Sequence, residues 1–212
     1  MLLGIDTCGA TGSIALARWD GEIVSAVVQT ELPGKTFSVQ LVPAIRQMLE
    51  QQAITVQDLQ AIVIVNGPGS FTGVRIGVSA AKGLAEALRI PVIAVSRLAL
   101  LARKAETQAA ALDAGRREYY FGSYAGEASA EMLLSADEIR EYTRSAIAVC
   151  EPALAESLPG TKLVAPPDAS EALAAAVPRL QAQEYDEVAT LDGNYVRRTD
   201  AELFAKPAVG LK

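Results

Sequence analysis

The sequence predicts an α/β protein of two lobes, and three observations carry that expectation. Apolar strand-like runs alternate with helix-like stretches through the first half of the chain. One strand, Ala61 to Val65, leads through a glycine-rich loop directly into a long helix, a βα unit. After Glu106-Thr107 the strand signals start afresh, which divides the chain into residues 1–105 and 106–212, with the last segment returning to the first lobe. With 50% hydrophobic residues but only 5% aromatics, the core must be Ala, Leu and Val in close contact, which suits helices packed on sheets.

Taken in order, Leu2 to Thr7 reads as a short apolar strand. Gly9-Ala10-Thr11-Gly12 turns it into Ser13 to Ala17, and Asp20-Gly21 turns that into Glu22 to Val28, an antiparallel three-stranded opening. Thr36 or Ser38 caps a helix to about Gln52, in which Leu41, Val42, Ile45, Met48 and Leu49 form one apolar stripe and Pro43 lies in the first turns. A mixed sheet gains the strand Ala61 to Val65, a helix from about Thr72 to Leu88 follows the glycine loop, and Ile90 to Val95 adds another strand. Ser96 caps a helix to about Lys104. In the second lobe a strand from Ala109 to Asp113 turns at Gly115-Arg116 into another from Arg117 to Tyr124. Ser135-Ala136-Asp137-Glu138 is a capping box, and Pro166-Pro167-Asp168 opens an Ala-rich helix ended by Pro178.

Composition excludes several chemistries. The chain has no histidine, which removes the common general base, the Ser-His-Asp and Cys-His nucleophile systems and the most frequent zinc ligand. No catalytic residue and no metal ligand set is therefore assigned. Cys8 and Cys150 are too few for a disulfide framework and read as small buried side chains in a reducing compartment. A net charge of −6 argues against unaided binding to nucleic acid. The opening strand has no basic head or signal-like stretch, and no apolar run approaches a membrane span, so a cytoplasmic chain without membrane contact is expected.

Two loops carry the remaining signals. Asp6-Thr7 with Gly9, Thr11 and Gly12 resembles the first phosphate loop of actin-like ATPases, where an acidic residue holds hydrated Mg²⁺; it reads equally as a turn bonded to its own backbone. The second loop runs from Asn66 to Arg75 and lacks the P-loop Gly-Lys-Ser/Thr. Gly67, Gly69, Ser70, Thr72 and Arg75 are placed to meet an anion at a helix start, or simply to pack a tight turn. In the helix that follows, Gly73, Gly77, Ala81 and Ala85 recur every fourth residue and make a smooth stripe. Each helical glycine costs about 1 kcal/mol relative to Ala, so close contact must offset it, within the fold or with a second chain.

Gly4-Ile5-Asp6-Thr7, the stretch Asn66 to Gly77, Ala81-Lys82-Gly83-Leu84-Ala85 and Leu112-Asp113-Ala114 together resemble the TsaB (YeaZ) family over residues 1 to about 125, with a fainter echo at Tyr195-Val196-Arg197-Arg198. The resemblance implies an actin-like ATPase (ASKHA, ribonuclease H-like) fold whose second lobe is reduced. It also implies the bacterial machinery that installs N6-threonylcarbamoyl on adenosine 37 of tRNAs decoding ANN codons. In that family TsaB is the non-catalytic partner of TsaD, which holds its metal through two histidines four residues apart; the matching positions here are Arg97 and Leu101. Implied partners are TsaD and TsaE, a second copy when the chain is alone, and tRNA only through the complex. The resemblance implies no cofactor of the chain's own, with ATP at the complex interface, and the sequence contains no Gly-Gly pair of the nucleotide-binding relatives. The expected partner interface is Leu41, Ile45, Met48, Gly73, Gly77, Ala81 and Ala85. Phe37 and Gly193-Asn194 depart from the family pattern, which has histidine and proline there. The competing reading is an ATP-dependent kinase or carbamoyltransferase working through Asp6 and the loop Gly67 to Gly73; a peptidase fares worse for want of histidine.

Overall fold

Two five-stranded mixed sheets organise the chain in a computed structural model, which describes residues 1–125 and 129–196. The first sheet contains β1 (Leu2–Asp6), β2 (Gly12–Trp19), β3 (Val24–Leu32), β4 (Ala61–Val65) and β5 (Val92–Val95), in the order β3-β2-β1-β4-β5. Strands β1 to β3 pair antiparallel, whereas β4 and β5 are parallel to β1, with Leu2 opposite Ala61 and Ile5 opposite Ile64. Every residue of β1 and β4 is buried, as continuous apolar strands covered on both faces require.

Helices α1 (Phe37–Gln51) and α2 (Phe71–Leu88) cover one face of this sheet. Phe37, Leu41, Ile45, Met48 and Leu49 are the buried stripe of α1, but Val42, expected among them, points outward and is 60% exposed. Thr36 occupies the N-cap position of α1 without capping it, because its hydroxyl donates to Pro33 O instead. In α2 the cap is Ser70, whose Oγ accepts from Gly73 N. On the other face lies α6 (Ala169–Ala175), which packs so closely on β1 that a Cβ at Gly4 would stand 2.7 Å from Ala169 O.

The second sheet has the order β10-β9-β6-β7-β8, from β6 (Ala109–Gly115), β7 (Glu118–Ser123), β8 (Ala130–Ser135), β9 (Ile147–Val149) and β10 (Thr161–Leu163). Its helices include α4 (Ala136–Tyr142), opened by the capping box of Ser135 and Glu138, and α5 (Pro152–Ser157). Packing crosses the boundary drawn in the sequence at residue 105. Helix α3 (Arg97–Ala105) packs Leu98, Leu101 and Ala105 with the second sheet and Leu100 with the first core. In return α6 and α7 (Val177–Ala182) join the first core through Leu173 and Leu180. Pro178 does not end the Ala-rich helix: that helix stops at Ala175, and Pro178 stands in the first turn of α7, where its missing N–H is harmless. Beyond α7, Asp186 bridges to Val92, and Asn194 N donates to Asn66 O. Arg197 and Arg198 lie outside the described residues.

Candidate functional site

A cleft of about 1040 Å³ opens between the two sheets, walled on one side by the β1–β2 loop and the first turn of α2, on the other by the ends of β6 and β9. The two loops of the first lobe lie back to back. Ser70 N donates to Cys8 O at 2.8 Å, and a Cβ on Gly69 would come within 2.4 Å of the same oxygen, so only glycine permits the approach. Thr7 Oγ1 donates to Gly73 O at 2.7 Å and ties the end of β1 to α2.

Of the residues expected at an anion site, Gly9, Thr11, Gly69, Ser70 and Thr72 line this cleft. The others do not. Asp6 is 3% exposed and its Oδ1 accepts from Cys8 N, so it forms the turn bonded to its own backbone. Burial pushes the Asp6 carboxyl above its ordinary value, partly offset by Arg97 and by the Cys8 amide. Thr7 is wholly buried, Gly67 packs against Asn194 and Val74, and Arg75 turns to the outer surface, its guanidinium 4.0 Å over the Phe71 ring with Nε donating to Tyr195 Oη. The Mg-nucleotide site of the actin-like ATPases does not fit these residues: the carboxylate of the first loop, Asp6, is sealed beneath it, and no group of three metal-binding side chains occurs among the described residues.

The buried cation of the cleft is Arg97, which sequence reading noticed only as a replaced histidine. It is the first residue of α3, anchored by its N–H to Gly67 O at 2.7 Å, and its side chain is 7% exposed. Leu101, one turn on, is fully buried in the apolar contact with the second sheet. A charge at the head of a helix whose next residues, Leu98 to Ala102, are all apolar was the available signal. Both cysteines line the cleft, but the Cys8 thiol turns inward to donate to Val65 O at 3.1 Å, and burial pushes each thiol above its ordinary value, most strongly Cys8, so neither is a ready nucleophile at neutral pH.

The expected partner stripe is corrected by burial. Leu41, Ile45, Met48, Gly73, Gly77, Ala81 and Ala85 are all inside the lobe. A Cβ on Gly73 would lie 2.0 Å from Thr7 O, and one on Gly77 2.3 Å from Thr7 Oγ1 and 3.1 Å from Ile64. The small-residue stripe therefore seats α2 on its own sheet. Outward, α1 shows the apolar side chains of Val39 and Val42, 68% and 60% exposed, and Val42 edges a 260 Å³ groove with Ile54, Val56 and Leu84, with Ile45 and Leu49 at its base; Phe71 instead lies against Arg75 and Tyr195.

Two mixed sheets with helices on their faces and a cleft between them define a protein of the actin-like ATPase fold. A family model described as "TsaD: tRNA N6-adenosine threonylcarbamoyltransferase" matches residues 27–154, and within that superfamily the chain belongs to the TsaB/YeaZ family. It is 41% identical over 127 residues to the tRNA threonylcarbamoyladenosine biosynthesis protein TsaB of Bacillus subtilis (strain 168), covering 58% of this chain and 54% of that one. YeaZ from Pseudomonas aeruginosa superposes with a TM-score of 0.75 at 27% identity, over 92% of this chain and 98% of the other. A Pseudomonas aeruginosa structure described as an uncharacterized protein with similarity to peptidase YEAZ gives 0.73 at 28% identity, over 92% and 99%. The aligned part of the chain spans about half the length of the curated relatives it matches. No helix among the described residues is long and apolar enough to cross a membrane.

Proposed function

We propose that the chain is a non-catalytic subunit in the formation of N6-threonylcarbamoyladenosine at position 37 of ANN-decoding tRNAs, and that it supports TsaD by docking through the outer face of α1 and α2. The observation that carries this reading is the exposed apolar surface of α1 at Val39 and Val42, where Val42 edges a groove shared with Leu84 of α2, on a lobe whose cleft contains no histidine and whose Asp6 is sealed from it. Similarity to the Bacillus subtilis TsaB supports the pathway. The same face pairs two copies when TsaD is absent, TsaE joins the assembled pair, and ATP belongs to the boundary with TsaD. With a net charge of −6, the chain meets tRNA only through the complex. A kinase or carbamoyltransferase working through Asp6 finds no support in a carboxylate this deeply buried.

Val42→Glu tests the reading, since the side chain is solvent-facing and its replacement leaves the core intact. The variant should fold with an unchanged circular dichroism spectrum yet fail to co-elute with TsaD and fail to support modification in a reconstituted mixture. Undiminished assembly would refute the docking face.

A further inference from the structure

Arg97 is a buried charge that the protein itself does not satisfy. A guanidinium carries five N–H donors, and this one makes a single side-chain hydrogen bond, from Nη1 to Cys8 O at the long distance of 3.5 Å. That oxygen already accepts from Ser70 N at 2.8 Å. Nε has no partner, and none of the four ion pairs among the described residues includes Arg97. The carboxylates whose fields reach it are engaged elsewhere: Asp6 accepts from Cys8 N, and Glu151 accepts from Asp113 N. Leaving a buried cation so poorly paired is costly unless something else meets it.

The surroundings indicate what does. Arg97 lines the cleft together with Lys35 and with Ser70 and Thr72 at the first turn of α2, an 18-residue helix whose positive end faces the same space. Gly9 lets the guanidinium lie against the loop, since a Cβ there would be 2.9 Å from Nη2. We propose that the cleft binds a phosphate-class oxyanion of a small molecule without a metal ion, Arg97 supplying the charge that Mg²⁺ supplies in nucleotide sites and the first turn of α2 supplying further donors. This site shares no residue with the groove at Val42, so its test needs only the isolated chain.

The probe is inorganic pyrophosphate, titrated calorimetrically in EDTA at ionic strength matched with KCl. Wild type should bind. Arg97→Met should weaken binding by about tenfold or more, the effect of losing hydrogen bonds to a charged group, while melting no lower than wild type in the absence of pyrophosphate. Thr72→Glu changes an exposed side chain at the cleft wall and should weaken binding severalfold, so the site remains testable if Arg97→Met does not fold. The proposal is overturned by no binding, by binding that requires added Mg²⁺, or by affinity unchanged in either variant. A lowered melting point of folded Arg97→Met would also count against it, by making the guanidinium a structural partner of Asp6 and Glu151.

Discussion

Asp6 shows how a single buried carboxyl trades solvation for a local turn. Its Oδ1 holds Cys8 N at 2.8 Å, but burial favours the neutral acid and raises its pKa in the folded chain. A group whose folded value exceeds its unfolded one contributes stability that is fully present below the unfolded value and lost as pH rises through the folded one. Asp6→Asn keeps the acceptor oxygen and removes the titration. Urea denaturation should therefore find the variant more stable than wild type at neutral pH, with the difference fading in acid below the carboxylate range. The role of Asp6 as a bonded turn was legible in the spacing of Asp6 to Gly12, because short-range side-chain to backbone bonds depend on neighbours in sequence. Arg97 was not legible as a cleft residue, since the groups around it, Gly67 O and Cys8 O, belong to loops distant in sequence that only tertiary contact brings together.

At the level of elements, α2 depends on contacts that glycine alone allows. Gly73 and Gly77 bring the helix onto the end of β1, where Thr7 Oγ1 donates to Gly73 O. Gly77→Ala places a methyl 2.3 Å from Thr7 Oγ1 and should lower stability by about 1–3 kcal/mol, read as a lower urea midpoint at an unchanged slope. The four-residue spacing of the stripe was visible in the sequence, but the object it packs on was not, because a helix period says which residues share a face and nothing about whether sheet or partner meets it. The same limit explains Val42: it adjoins Leu41 in sequence yet falls just outside the buried arc of α1. Capping was clearer. Ser96 accepts from Leu98 N and Ala99 N, and Ser135 with Glu138 closes a capping box, both local patterns that tertiary packing left intact.

Across the whole molecule the two sheets were foreseeable from the restart of strand signals after residue 106, but their division of helices was not. α3 follows the first sheet and packs mainly on the second, whereas α6 follows the second sheet and covers the first. Such crossing exchanges are long-range choices that no local pattern encodes. Further bonds run between distant parts: Glu131 accepts from Ser96, from Tyr124 at 2.6 Å and from Asn194, joining β8 to the link before α3 and to the segment that follows α7. Because α3 places Leu98 in one core and Leu100 in the other, neither half keeps its full complement of apolar contacts once its neighbour has melted. Differential scanning calorimetry should accordingly record one cooperative peak, with matching calorimetric and van't Hoff enthalpies, in place of two. A molecule wired this way has no loose jaw: its halves share a common fate on heating, and the space between them is held at a fixed width by the splice itself.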